Sequence, residues 1–219
     1  MRNEGKGIAM SCQKSYCIIN KGGYAYFPIK AKSGPYYDRN GRLATGYLAG
    51  MPNFFGGTVE ENQSIYSTLI REVDEESQGN IEIRLSTADN KEVQNNKIMR
   101  ACEGLFSFSY RRTYYYFYSF NADEYQPSVT ITDFGNSNIL ELSAEASLGE
   151  KYREMSCILK IPVVQLHKNF DNFLDKCIEI GSEYLLDKGT ITAHSDWNDE
   201  GTQNAFREFC SKYGTGAIH

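Results

Sequence analysis

No window of the 219-residue sequence approaches the roughly 18 consecutive apolar residues that a membrane helix requires. The first ten residues hold Arg2, Glu4 and Lys6 with no long apolar run behind them, which does not read as a secretory signal, so a cytoplasmic location is expected. The six cysteines, Cys12, Cys17, Cys102, Cys157, Cys177 and Cys210, are dispersed. They form no CxxC pair and share no histidine spacing of the zinc-site kind, and they read as reduced side chains. A Cys12–Cys17 contact is conceivable, with ordinary burial as the plainer role. Histidine is scarce: His167, His194 and His219 show neither metal-ligand nor triad spacing and read as surface or structural residues. Basic charge is also short. With 23 Lys and Arg against 28 Asp and Glu, the formal charge is -5 and the pI near 5.3, so no general basic surface invites nucleic acid or acidic lipid. A small anionic ligand needs a local positive feature or a bound cation.

What is present suffices for a real core, since 41% of residues are hydrophobic, and the length fits one large domain or one domain with an appendage. Residues 15–30 predict two short strands around Lys21-Gly22-Gly23, and Ser33 to Leu43 a surface loop punctuated by Gly34-Pro35 and Asp38-Arg39-Asn40-Gly41. From Gln63 to Ser77 the spacing of Ile65, Leu69 and Val73, widened by Tyr66 and Ile70, predicts a helix with one core face. A strand is expected over Ile81–Leu85, and a long strand or hairpin rich in Tyr and Phe over Leu105–Phe120, interrupted by Arg111-Arg112. Short β-prone pieces follow in Ser128–Gly149, then a strand over Cys157–Val164, a helix over Val164–Leu186 and a last helix over Thr202–Tyr213. The alternation is irregular and there is no internal repeat or linker. This favours a single α/β or α+β domain in which a mixed sheet is covered by a few helices.

Glu72, Glu75 and Glu76 stand at i, i+3 and i+4, which brings their carboxylates near one another on one helix face, away from the Ile65-Leu69-Val73 stripe. Such like-charge pairs each cost roughly 0.2–0.5 kcal/mol, and carboxylates near a helix C-terminus also oppose the macrodipole. Arg71 pairs with Glu75 at i+4 but cannot balance Glu72, Asp74, Glu75 and Glu76 together. A cluster of carboxylate oxygens without Cys or His suits a hard divalent ion, magnesium with manganese as substitute. Ahead of the helix, Gly56-Gly57 permits unusual dihedrals and lets a substrate approach the backbone.

The segment GGTVEENQSIYSTLIREVDEESQG resembles the signature of the Nudix hydrolase family, G-x5-E-x7-R-E-U-x-E-E-x-G-U, where U is a bulky aliphatic residue. Gly57 fills the first glycine, Arg71 the arginine, Glu72 the next glutamate, Val73 the aliphatic place, and Glu75 and Glu76 the paired glutamates. Gln63 departs from the first glutamate and Gln78 from the closing glycine, which appears one place later as Gly79. In the family the first glutamate supports the helix and its arginine, so Gln63 keeps a hydrogen bond while losing charge. The displaced glycine implies a slightly altered helix end.

The resemblance implies a Nudix-like mixed sheet between helices, with a core over about residues 14–185 of a single 1–219 domain and a helical extension over about 186–219. It implies hydrolysis of a diphosphate linkage in a nucleoside diphosphate derivative, such as a nucleotide sugar, ADP-ribose, a dinucleotide or a nucleoside triphosphate. Glu72, Glu75 and Glu76 would hold magnesium or manganese, and Arg71 would orient them. The general base would be Glu72 itself or a later carboxylate: Glu154 or Glu150, with Glu141 and Glu145 also open. Gly56, Gly57, Arg111 and Arg112 are the expected substrate contacts, although Arg111 and Arg112 also read as plain turn arginines. The aromatic run from Phe106 to Phe120 reads first as core and sheet surface and second as a base-stacking platform. The expected partner is a small molecule, with no nucleic acid or membrane, and a homodimer is an assembly open to the chain. The alternative is a Nudix-fold nucleotide-binding or regulatory domain with little or no catalysis.

Overall fold

Cys17, Ile18 and Ile19 are all fully buried. Successive side chains of a strand point to opposite faces, so a buried run of this kind needs layers on both sides of its sheet. A computed structural model supplies them; it describes residues 12–32, 36–37, 43–44, 48–125, 128–143, 154–198 and 201–215. In chain order the elements are β1 (Cys12–Lys21), β2 (Tyr24–Lys30), β3 (Tyr36–Tyr37), β4 (Leu43–Ala44), β5 (Phe55–Thr58), α1 (Ile65–Glu76), β6 (Ile81–Arg84) and α2 (Lys91–Ala101). They continue with β7 (Cys102–Tyr110), β8 (Thr113–Asn121), β9 (Ser128–Ile131), β10 (Ile139–Glu141), β11 (Met155–Pro162), α3 (Phe170–Gly181), α4 (Lys188–Ala193), α5 (Ser195–Asn198) and α6 (Thr202–Tyr213).

The main sheet runs β10-β11-β2-β1-β8-β7, with β5 also on β1. It is mixed: β1 and β8 are parallel, and the other pairs antiparallel. β8 pairs with β1 along Cys12–Asn20, while β5 takes Lys14–Cys17 and β2 takes Ile19–Lys21. β2 and β5 therefore share one edge of β1, and the sheet splays open where β5 begins. On one face Cys17, Ile19, Phe55 and Phe120 pack with Leu69 and Val73 of α1 and Ile98 of α2. On the other, Ile18, Phe27, Phe54 and Phe117 pack with Phe173 of α3, Trp197 of α5, and Phe206 and Phe209 of α6. The chain is thus an α/β protein with a mixed sheet between helices. No helix among the described residues is long and apolar enough to cross a membrane.

The Gly22-Gly23 turn appears as expected, with both glycines at positive φ. The helix expected over Gln63–Ser77 is α1, begun by a capping box between Ser64 and Ser67. Its end is closed by backbone bonds. The N–H of Gly79 reaches Asp74 O at 2.9 Å and that of Gln78 reaches Glu75 O at 3.1 Å, a Schellman motif with Gln78 itself in the left-handed position at φ +54. Gln78 thus takes the left-handed place that glycine usually fills at a helix end, and it is anchored there by a side-chain bond to Ser143 O at 2.9 Å. Gly79 is also left-handed, at φ +74 with open space where a Cβ would project. Gly79→Ala therefore meets backbone strain without a clash, and should lower the unfolding free energy in urea by about 1–2 kcal/mol.

Of the two forms expected for the aromatic stretch the structure takes the hairpin, with β7 beginning at Cys102. Two expectations change. The helix expected over Val164–Leu186 is a single tight turn at Val163–Gln165 followed by α3, because Asn169 caps a new helix through the N–H groups of Asp171 and Asn172. Tyr36–Tyr37 and Leu43–Ala44 pair as short strands within the stretch read as loop, the rest of which lies outside the described residues. All six cysteines are free.

Candidate functional site

The splayed edge of β1 is where chemistry gathers. Gly56 pairs with Tyr16 and Gly57 with Ser15, and both glycines are required by contact. A Cβ on Gly56 would lie 2.1 Å from Ser15 O, and one on Gly57 would lie 2.3 Å from Glu72 Oε1. α1 passes directly behind β5, so the Glu72 carboxylate rests against Gly57 while Glu76 Oε2 accepts a 2.8 Å hydrogen bond from the Gly56 N–H.

The three signature glutamates are dealt different environments. Glu76 is 9% exposed and shares the inward side of α1 with Thr68, Leu69 and Val73. This corrects the placement of all three carboxylates on one face away from the core. The Glu72 side chain is 14% exposed and accepts from Arg71 Nη2 at 2.7 Å; that of Glu75 is 56% exposed and accepts from Arg71 Nη1 at 2.7 Å. Among the described residues no three acidic, histidine or cysteine side chains converge as a ready metal cage. Arg71 engages two of the carboxylates, Glu72 with one arm and Glu75 with the other.

Gln63 bonds to Thr68 at 3.0 Å and to Glu60 at 3.3 Å, and Glu60 stands 3.8 Å from Arg71. Negative charge reaches the arginine from Glu60. Arg71 Nε is buried with no partner among the described residues. Although burial opposes its charge, Glu72, Glu75 and Glu60 outweigh that and raise its pKa.

Glu154, at the foot of β11, is brought to this place by the register of Met155 against Lys30. It forms an ion pair with Lys30. Burial pushes the Glu76 pKa well above the carboxylate range, opposed by Lys30 and the Gly56 N–H and reinforced by Glu154 and Glu72. Burial likewise raises Glu72; Arg71 opposes it, and Glu75 and Glu154 add to it. Buried carboxylates that press on one another this way are short of positive charge. Magnesium needs only one or two carboxylates, with water and phosphate oxygens completing its shell. Glu72 and Glu76 alone suit such an ion, with water and phosphate oxygens as its remaining ligands.

In front of the glycines lies a cleft of about 960 Å³, at the large end of the roughly 300–1,000 Å³ of ligand pockets. Lys14, Lys30 and Arg111 bring positive charge to it, and Tyr16, Phe108, Tyr115 and Phe117 bring rings. Tyr16 and Phe117 stack at 5.0 Å, and Phe108 and Tyr115 at 4.5 Å. Of the residues that the sequence singles out, Gly56, Gly57, Arg111 and Glu154 line the cleft and Arg112 does not. Glu141 is placed elsewhere, bonded to Tyr184; Glu145 and Glu150 lie outside the described residues, as does His219. His167 serves a turn, its Nδ1 accepting from the Asn169 N–H at 3.0 Å. Lys14, Lys30, Asn53 and Thr202 were not anticipated. No sequence signal marks a lone Lys at a strand end or a lone Asn between apolar residues; only the pairing of β2 with β11 puts Lys30 opposite Glu154.

Comparison with known proteins adds likeness only. No family model matches the chain, and no curated protein matches it. Among solved structures it is similar to the E. coli ORF135 protein, at 17% identity over 69% of this chain and 74% of that one, with a TM-score of 0.36. It is similar to an ADP compounds hydrolase at 9% identity, over 92% and 71% of the two chains, with a TM-score of 0.39. A mutT/nudix family protein from Listeria innocua is similar at 12% identity, over 71% and 80%, with a TM-score of 0.27.

The cleft's arginine stands on strained backbone. Tyr110 pairs with Thr113, which leaves Arg111 and Arg112 as a two-residue turn with φ +46 and +67. Such turns favour Asn-Gly, and non-glycine residues there cost on the order of 1 kcal/mol each. The Arg111 guanidinium lies 4.9 Å from the Tyr110 ring centre at the mouth of the cleft. Replacing the pair by Asn-Gly should raise stability by about 1–2 kcal/mol in urea unfolding, while it removes the Arg111 cation from the cleft.

Proposed function

We propose that the chain is a magnesium-dependent hydrolase that cleaves a diphosphate linkage in a nucleoside diphosphate derivative. The observation that carries this reading is the laying of two carboxylates, the half-buried Glu72 and the buried Glu76, against the backbone of Gly57 and Gly56. They face Glu154 and Lys30 at the edge of a cleft that holds cations and stacked aromatic rings. Carboxylates alone would repel phosphate, and the cleft's cations alone would bind it without activating water; their combination around bare backbone suits a metal-assisted attack on phosphorus.

Magnesium or manganese, when bound, supplies charge neutralisation for the phosphates and a lowered pKa for a bound water. Glu72 and Glu76 would hold it, with Glu75 joining on release from Arg71. Arg71 orients Glu72 and Glu75 through its two arms. Lys30 fixes the Glu154 carboxylate at the cleft, where Glu154 accepts the proton of the attacking water as general base. Lys14 and Arg111 attract the diphosphate, Gly56 and Gly57 let it approach the main chain, and the Tyr16–Phe117 and Phe108–Tyr115 pairs offer faces to a base.

The test is phosphate or nucleotide release from a panel of nucleotide sugars, ADP-ribose, dinucleotides and nucleoside triphosphates, with magnesium and with EDTA. Turnover that needs the metal and is lost in Glu72→Gln supports the hydrolase. A second reading, a nucleotide-binding domain with little catalysis, draws on one observation: Glu75 is turned away onto Arg71. Nucleotide binding by folded protein, with no turnover on any member of the panel, would select it.

A further inference from the structure

Arg111 and Arg112 carry the same charge on the same strained turn, yet of the two only Arg111 lines the cleft. The strand register sets where it stands. Phe106 is level with Gly56 through Phe117 and Tyr16, Phe108 is level with Lys14 through Tyr115, and Tyr110 pairs with Thr113 at the turn. Phe106, Phe108 and Tyr110 alternate with Ser107 and Ser109, so they share one face of β7 at steps of about 6.6 Å. The Tyr110 ring that carries the Arg111 guanidinium is therefore two steps, about 13 Å, further along the strand than the glycines that face the carboxylates. A diphosphate held at Gly56 and Gly57 feels this charge from a distance but is too short to touch it.

Between the two ends stands the Phe108–Tyr115 stack, with ring planes 5° apart. Flat faces suit a flat partner, and along a nucleotide the base follows the phosphates and the sugar. What then meets Arg111 is the far edge of the base. A second phosphate is the other group that an arginine holds, but this end of the cleft is walled by Phe108, Tyr110 and Tyr115, faces that favour a ring over a hydrated anion. A guanidinium offers five donors in a planar fork and accepts nothing, so it pairs with an edge made of acceptors. Guanine presents O6 and N7 together, whereas adenine sets an amino group beside N7.

We propose that Arg111 reads the O6 and N7 edge of a 6-oxopurine base lying against Phe108 and Tyr115. This rests on the hydrolase reading and narrows its substrate class to derivatives of guanine-type nucleotides. The strained backbone then has a use, since φ +46 is the geometry in which Arg111 lies over Tyr110 at the cleft.

Titration calorimetry on the full-length protein in EDTA tests this with neither metal nor turnover. The probes are guanosine, inosine and adenosine diphosphates, which share ribose and diphosphate and differ only in the base. The first two should bind about tenfold more tightly than the third. Arg111→Ala should bring all three together. Arg111→Lys keeps the charge but loses the fork and should do the same, whereas Arg112→Ala, which removes equal charge outside the cleft, should keep the native preference. Equal native affinity for the three, no measurable binding of any, or a preference that survives Arg111→Lys would each overturn the proposal. So would loss of the preference in Arg112→Ala, because charge at the turn would then be the cause, or an Arg111→Ala variant that weakens all three equally, because Arg111 would then serve the phosphates. Failure here with metal-dependent turnover intact removes the base recognition alone; a preference carried by Arg111 in a protein without turnover removes the hydrolase reading alone.

Discussion

Gly56→Ala lowers the unfolding free energy by about 3 kcal/mol or more, a fall of roughly 6–12 °C in Tm for a chain of this size. Two costs add. At φ +151 the backbone is in a region that L side chains rarely adopt, and the new methyl would lie 2.1 Å from Ser15 O and 2.6 Å from Tyr16 Cα, both backbone atoms of the paired strand. Those atoms can move only if β5 leaves β1. Its neighbour gives a different result. The methyl of Gly57→Ala meets the Glu72 carboxylate at 2.3 Å, a side chain that can turn aside, so that variant folds with a loss of about 1–3 kcal/mol and is inactive because Glu72 is displaced. Urea unfolding and metal-dependent turnover, measured together on both variants, check the pair. Equal stability loss in the two would show that the contacts behind the glycines are not as described.

Glu76→Gln gains stability while losing turnover. Among the signature glutamates it should cost the most activity, on the order of 100-fold or more, ahead of Glu72→Gln, with Glu75→Gln least because Glu75 is half exposed and turned onto Arg71. Stability runs the other way. Burial raises the Glu76 pKa from its ordinary 4.5, and Lys30 and the Gly56 N–H only partly oppose it. The folded protein then keeps a proton that the unfolded chain has already released. Stability accordingly falls as pH climbs from about 4.5 through the raised folded value; Glu72 contributes with the same sign. Glutamine has no proton to lose. In EDTA, Glu76→Gln should show a flatter profile from pH 4.5 to 8 and a higher Tm than the native chain at pH 8, and added magnesium should raise the Tm of the native protein alone. A native protein whose metal-free stability rises over that range would contradict the environment assigned to Glu76.

Much of this arrangement could be read before any coordinates, and the unread parts have physical reasons. α1 announces itself because Leu69 and Val73 recur at helical spacing over a polar face. α6 does so through Ala205, Phe206 and Phe209. α2 does not: only Ile98 and Ala101 are buried in it, too few to write a stripe, and it runs without a break into β7. The helix expected from Val164 to Leu186 was drawn too long because Leu166 is a core residue on a tight turn, and burial alone does not distinguish a turn from a helix. At the site, the order of Gly57, Arg71, Glu72, Glu75 and Glu76 was legible, but their separation into an inward Glu76, a half-hidden Glu72 and an outward Glu75 was not, because it depends on what lies behind β5. Glu154 was one of several acidic candidates in the sequence; the pairing of Met155 with Lys30 is what distinguishes it. Asn53 and Thr202 carry no motif at all, and only the fold brings them to the cleft.

The shared edge of β1 also fixes a length. Gly56 pairs with Tyr16, Tyr16 with Phe117, and Phe117 with Phe106, so the carboxylate-bearing end of the site and its aromatic rings lie on one rung across four strands. Neighbouring strands are about 4.8 Å apart, which puts Gly56 roughly 10 Å from Phe117, measured in backbone rather than in side-chain rotamers. Changing a ring alters which flat group is preferred, and changing a lysine alters how strongly charge is held, but neither alters this span. The fold itself acts as the gauge for how far a substrate's reacting bond can stand from the part that is recognised.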